Sequence, residues 1–208
     1  MKIKIYVTIA ILSAALLISC DTRNLGLFTS FDDIGSPAIP GTVKYDKSDK
    51  VYTLSGSGEN IWFNKDSFSF LSRKANKNFT FSGSFRFIGY ADHHRKIGLM
   101  IRSNKEPDAV MLCCTLHGDG LTSFQFRKKA GDNVEEDKCN MSYGNTVEMI
   151  KEGNIYTLTV RDASGKIDTE TYETDFGPDA TVGLFICSHD DKKEESCEYY
   201  DVKFVNNK

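Results

Sequence analysis

HHRKIGLMIRSNKEPDAVMLCCTLHGDGLTSFQFR, residues 93–127, decides the fold, because its alternation reads as three antiparallel strands whose two faces can both be assigned. Successive side chains of a strand point to opposite faces. Ile97, Leu99 and Ile101 therefore share one side, and Gly98, Met100 and Arg102 the other. In the next strand Val110, Leu112, Cys114 and Leu116 oppose Met111, Cys113, Thr115 and His117. In the third, Thr122, Phe124 and Phe126 oppose Ser123, Gln125 and Arg127. One face is core. The other gathers Arg102, Thr115, His117, Gln125 and Arg127, a surface suited to a hydroxylated or anionic ligand.

Turn lengths fix the register, since a one-residue slip would exchange the faces. Pairing Arg102 with Ala109 across residues 103–108 sets Ile101 opposite Val110 and Leu99 opposite Leu112. For the second hairpin, the three-residue loop Gly118-Asp119-Gly120 sets Leu112 against Phe126 and Cys114 against Phe124, with glycine where a left-handed residue is needed.

Short runs with period-two character recur along the rest of the chain, at 51–54, 67–71, 79–87, 147–150, 156–161, 169–172, 182–188 and 198–204. Turn residues separate them, and no convincing helical segment or repeat intervenes. The pattern predicts an all-β sandwich of two antiparallel sheets. In residues 79–87, four phenylalanines fall on one face.

The N-terminus predicts an address. Lys2 and Lys4 precede an apolar run over 5–18 that is too short for a comfortable bilayer span and has the form of an export signal. Leu17-Ile18-Ser19-Cys20 resembles a bacterial lipobox, which implies a signal peptide over 1–19, lipidation of Cys20, a tether over 20–25 and one folded domain over 26–208. Contact with a membrane would then be through the lipid anchor only, and the protein would reside in the bacterial cell envelope. Removing the leader takes the formal charge from −3 to −5 by the loss of Lys2 and Lys4. An acidic chain argues against general nucleic-acid binding. Five cysteines remain beyond Cys20, an odd number. Cys114 reads as a buried small hydrophobe, and Cys187 and Cys197 flank a polar hairpin loop that a disulfide could close.

Three motifs carry a family resemblance: SGSGENIWF at 55–63, HRKIGLMIR at 94–102 and HGDGLTSFQFR at 117–127. Together they resemble envelope-associated concanavalin A-like domains, found in some relatives beside a six-bladed propeller of the biopolymer-transport type. A more distant likeness is to the regulation-of-enolase-type concanavalin A-like family. The resemblance implies a jelly-roll sandwich over nearly all of residues 26–205 and does not imply an activity, because the wider fold hosts glucanases, lectins and other domains.

The candidate ligand-binding residues are Asn60, Trp62, His94, Arg95, Arg102, Thr115, His117, Gln125 and Arg127. Trp62, the sole tryptophan, offers an indole to stack on a sugar ring, with Asn60 beside it. Arg102 and Arg127 offer forks of donors, so lysine at either position is expected to weaken binding with little loss of stability. His94 and His117 suit a polar ligand or a structural hydrogen bond; metal binding would need them to converge with a carboxylate such as Asp92 or Asp119. No cofactor is implied. Structural calcium would draw on Asp32, Asp33, Asp190, Asp191 or Asp201, though no loop has EF-hand spacing. Glycoside hydrolysis needs two flanking carboxylates. The motif Glu-x-Asp-x-x-Glu is absent, and Glu135, Glu136, Asp137, Glu194 and Glu195 read as solvent-facing loop residues. The expected role is non-enzymatic binding of a glycan or oligosaccharide. A module docking on a protein partner through the basic face is the second reading, and a glycoside hydrolase the third.

Overall fold

The computed structural model describes residues 24–75 and 77–207; Cys20 and the expected leader lie outside them. Among the described residues fourteen strands form two antiparallel sheets. In chain order they are β1 (Ser30–Ile34), β2 (Thr42–Asp46), β3 (Val51–Gly56), β4 (Phe68–Lys74), β5 (Phe79–Ile88), β6 (Lys96–Arg102) and β7 (Met111–His117). Then follow β8 (Leu121–Arg127), β9 (Glu135–Ser142), β10 (Thr146–Glu152), β11 (Ile155–Arg161), β12 (Ile167–Glu173), β13 (Thr181–Cys187) and β14 (Glu195–Asn206). The first sheet runs β1-β4-β13-β6-β7-β8-β9 and the second β12-β11-β10-β5-β14-β3-β2. Three strands escaped the reading by periodicity. β1, β2 and β9 are all sheet edges, where charged and exposed residues replace apolar alternation.

The inner faces meet in a core that includes Ile97, Leu99, Ile101, Leu112, Cys114, Leu116, Phe124 and Phe126, the set assigned by alternation. From the other sheet, Phe79, Phe81 and Phe85 of β5 enter it, and Phe87 packs at its margin. Leu25 is already part of this core, so packing begins inside the segment expected to be tether. Tyr199 crosses it: the β14 hydroxyl accepts from Gly98 N at 2.9 Å and reaches Phe185 O at 2.5 Å, tying the second sheet to two strands of the first.

The second hairpin has the expected register, Leu112 opposite Phe126 and Cys114 opposite Phe124. Gly120 takes φ +92°, and a Cβ there would meet the Tyr143 ring at 2.4 Å. The first hairpin differs: Ile101 pairs with Leu112 and Leu99 with Cys114, two residues from the expected register. The faces survive, because a shift of two preserves alternation.

The sheets also differ in what covers their outer faces. β11 alternates buried residues with partly or fully exposed ones, whereas every residue of β6, β7 and β13 is buried. A second layer covers the first sheet. Ile61, with Trp62 packed against it, and Val134 join Phe68, Phe70, Met100, Met111, Cys113 and Phe185 in a separate apolar cluster on the face expected to be open. The segment between β3 and β4 supplies most of this cover. Backbone bonds hold it, from Asp66 N to Pro107 O and from Val134 N to Trp62 O, both 2.9 Å.

Cys113, Cys114, Cys139, Cys187 and Cys197 are all free thiols. Cys187 and Cys197 form no bridge: Cys187 ends β13 in the outer cluster, while Cys197 belongs to β14 and the main core.

Candidate functional site

Burial overturns the first assignment. Arg102 and Arg127 have completely buried side chains and converge on Asp66, itself completely buried. Arg102 Nη1 donates to Asp66 Oδ2 at 3.0 Å, while Arg127 donates to Oδ2 at 2.9 Å and to Oδ1 at 2.6 Å. The remaining donors meet backbone carbonyls: Arg102 those of Asn104 and Glu106, Arg127 those of Phe63, Ala109 and Asp132. Neither guanidinium is free for a ligand. The two arginines fasten the covering loop to the sheet.

Arg95 is likewise committed. It pairs with Glu195 at 2.8 Å, donates to Gly89 O and lies over the Phe87 ring at 4.1 Å. Glu195, expected to face solvent, is its buried partner. Thr115 is buried against Cys113 Sγ, at 3.2 Å. Gln125 is buried and donates to Glu136 Oε1 at 3.0 Å. Thr115 and Gln125 therefore underlie the site without facing it.

The other four expected residues, Asn60, Trp62, His94 and His117, come together. With Lys96, Leu121, Glu136 and His189 they line an open hollow of about 340 Å³ where the covering loop meets the ends of β6 and β7. The half-buried Trp62 forms an apolar wall. His94 and His189 have ring centroids 5.2 Å apart, and Asn60 Nδ2 lies 3.3 Å from His189 Nε2. His117 Nδ1 lies 3.1 Å from Leu121 O, so the neutral ring donates there and keeps Nε2 as an acceptor. Burial, followed by the neighbouring Lys96 charge, holds the His117 pKa down to about 4.

Lys96 is only 3% exposed. Its ammonium donates to Asn60 Oδ1 at 2.9 Å and Ile61 O at 2.8 Å, and lies 5.3 Å from the Trp62 ring centroid. Burial lowers its pKa. Among the described residues no carboxylate forms an ion pair with it. A larger hollow of about 590 Å³ lies on the far side of the same loop, lined by Gly35, Glu59, Asn60, Phe63, Lys65 and neighbours. Asn60 borders both hollows.

The calcium expectation finds no assembled ligand set. Among the described residues no three His, Cys, Asp or Glu side chains gather to hold a metal. Asp32 pairs with Lys105, Asp190 with Lys193, and Asp33 accepts from Gly41 N and Ser69 Oγ.

With this geometry, the chain is similar to several solved structures. One is a functionally unknown protein from Saccharomyces cerevisiae, at 12% identity and TM-score 0.64, over 86% of this chain and 96% of that one. Another is the carbohydrate-binding module CBM66 from Bacillus subtilis, at 14% identity and TM-score 0.55, over 86% and 98%. A third is a family 7 alginate lyase, A1-II′, in complex with product, at 12% identity and TM-score 0.51, over 79% and 83%. No protein-family model and no curated protein matches the sequence. The fold is a jelly-roll β-sandwich of concanavalin A-like type.

Lys96, Glu136, His189 and Asp66 were missed as site or support residues. Lys96 was within reach, because alternation puts it on the same face as Gly98, Met100 and Arg102. Glu136 lies on the edge strand β9, which lacks apolar periodicity, and Asp66 and His189 lie on connecting segments without any period.

Proposed function

We propose that this protein is a non-enzymatic glycan-binding β-sandwich whose ligand sits in the hollow beside Trp62. One observation carries the reading: an indole wall and a set of convergent hydrogen-bonding groups, from Asn60, Lys96, His94, His117 and His189, share one open hollow of about 340 Å³. Apolar walls with a few placed polar groups are the general form of small-ligand sites. A sugar ring offers an apolar face for the indole and hydroxyls for the polar groups. Two of the similar structures named above are described as a carbohydrate-binding module and an alginate lyase, which supports a saccharide ligand. Among the described residues Glu136 is the only carboxylate lining the hollow, which supports binding over two-carboxylate glycoside hydrolysis. A longer chain would pass Asn60 into the larger hollow.

The export-type leader and Leu-Ile-Ser-Cys box support an envelope address with a lipid on Cys20. Cys20→Ser should then abolish lipid labelling and release the folded domain into the soluble fraction.

For the binding site, an array of oligosaccharides probed with the wild-type domain and with Trp62→Ala gives the test. The expected result is binding that falls by at least about tenfold in the variant, as loss of a stacked aromatic contact predicts. Wild-type protein that retains no oligosaccharide, or a Trp62→Ala variant that binds equally well, overturns the assignment.

A further inference from the structure

We infer that the sugar held in this hollow is acidic, with its carboxylate or sulfate group meeting Lys96. The inference rests on the glycan reading above and narrows its ligand class.

The argument starts from the cost of burying charge. An ammonium withdrawn from water loses hydration and is ordinarily paired when buried. Lys96 is as buried as a core residue, yet its hydrogen-bond partners are a side-chain amide oxygen and a backbone carbonyl, both neutral. The Trp62 ring adds the weaker attraction of a π face. An ammonium has three donors, and two are used. The third remains for an occupant of the hollow that Lys96 lines.

The surroundings deepen the positive potential. Beneath the same loop, two arginines share the single carboxylate of Asp66, leaving one formal positive charge, and Lys96 makes a second. Glu136, across the hollow, offsets part of this. Its Oε1 accepts from Gln125, however, its Oε2 lies 3.9 Å from the exposed Lys138, and it forms no ion pair with Lys96. The sequence as a whole carries a charge of −3, so this positive focus is local. An anionic group beside Lys96 Nζ both supplies the missing counter-charge and takes up the free donor, whereas a neutral sugar hydroxyl accepts from the donor and leaves the charge unpaired.

The test is a panel of uronic-acid oligosaccharides, each measured beside its carboxyl-reduced neutral form, with sulfated oligosaccharides and their desulfated forms as a parallel arm. Titration calorimetry on the wild-type domain should show at least one acidic member binding about tenfold tighter than its neutral counterpart, with the preference shrinking as salt rises. The carboxylated and sulfated arms identify which acid is preferred. Lys96→Met, which keeps the apolar stem, should remove the preference while Lys96→Arg retains most of it. Binding of neutral and acidic forms with equal affinity overturns this inference and leaves the glycan reading standing. Failure of every member of both kinds overturns both. The wild-type comparison decides even if Lys96→Met does not fold.

Discussion

Replacing Asp66 by asparagine removes the one negative charge that two fully buried guanidiniums share. Three charge-assisted contacts, at 3.0, 2.9 and 2.6 Å, are lost or weakened, and an amide N–H is placed against guanidinium N–H groups. Removing one partner of a buried ion pair costs about 3–5 kcal/mol, and two stranded cations put this case near the upper end. For a domain of this size each kcal/mol moves Tm by about 2–4 °C, so a fall of roughly 10–20 °C is expected. Urea denaturation followed by circular dichroism and by the fluorescence of Trp62 is the assay, since the indole sits in the segment that Asp66 fastens. A stability within about 1 kcal/mol of wild type, at unchanged denaturant slope, would refute the claim that this triad holds the loop. An apolar triple replacement, often harmless for an isolated buried pair, should fail here too. The arginines also satisfy five backbone carbonyls that leucine or methionine would strand.

His117 predicts a pH dependence. Its folded pKa of about 4 lies below the ordinary 6.5, so between these values the unfolded chain is protonated and the folded one is not. Stability should fall as pH drops from 6.5 towards 4 and level off below, by up to about 3 kcal/mol from this group; pH-dependent urea melts of His117→Gln should show a shallower decline. Gly120→Val should destabilise more than Asp119→Ala in thermal melts, because its φ of +92° and the Tyr143 ring at 2.4 Å both exclude a β-branched side chain. Tyr199→Phe should cost about 1–3 kcal/mol in urea melts by stranding Gly98 N and Phe185 O, and equal midpoints would mean the cross-core tie contributes nothing.

Alternation exposed much of the architecture because it is a local signal. The core faces of β6, β7 and β8, the aromatic face of β5 and the turn at Gly120 are all encoded within a few residues. What covers the opposite face is not. Alternation defines the polar face but not what covers it, because the partner of Arg102 and Arg127 is an aspartate on an aperiodic loop more than thirty residues away, as the separations of 36 and 61 show. Nothing in the strands themselves distinguishes an arginine awaiting a ligand from one awaiting Asp66. The expectation that lysine at 102 or 127 would spare stability therefore reverses: lysine lacks the planar fork that each site fills. Trp62, Asn60, His94 and His117 did converge, because the loop that buries the arginines also forms the wall of the hollow.

The free cysteines turn this domain into a set of built-in reporters of opening. Burial pushes the Cys113 and Cys187 thiols up to about 11, and pushes up those of Cys114 and Cys197 as well, so none presents a reactive thiolate while covered. Their positions separate three events. Cys139, half-buried on the edge strand β9, should label when that edge frays; Cys113 and Cys187, beneath the loop layer, when the loop lifts; Cys114 and Cys197, between the sheets, only when the sandwich parts. Timed alkylation with peptide mapping would thus resolve whether the loop that frames the hollow beside Trp62 can detach while the sandwich beneath it stays closed.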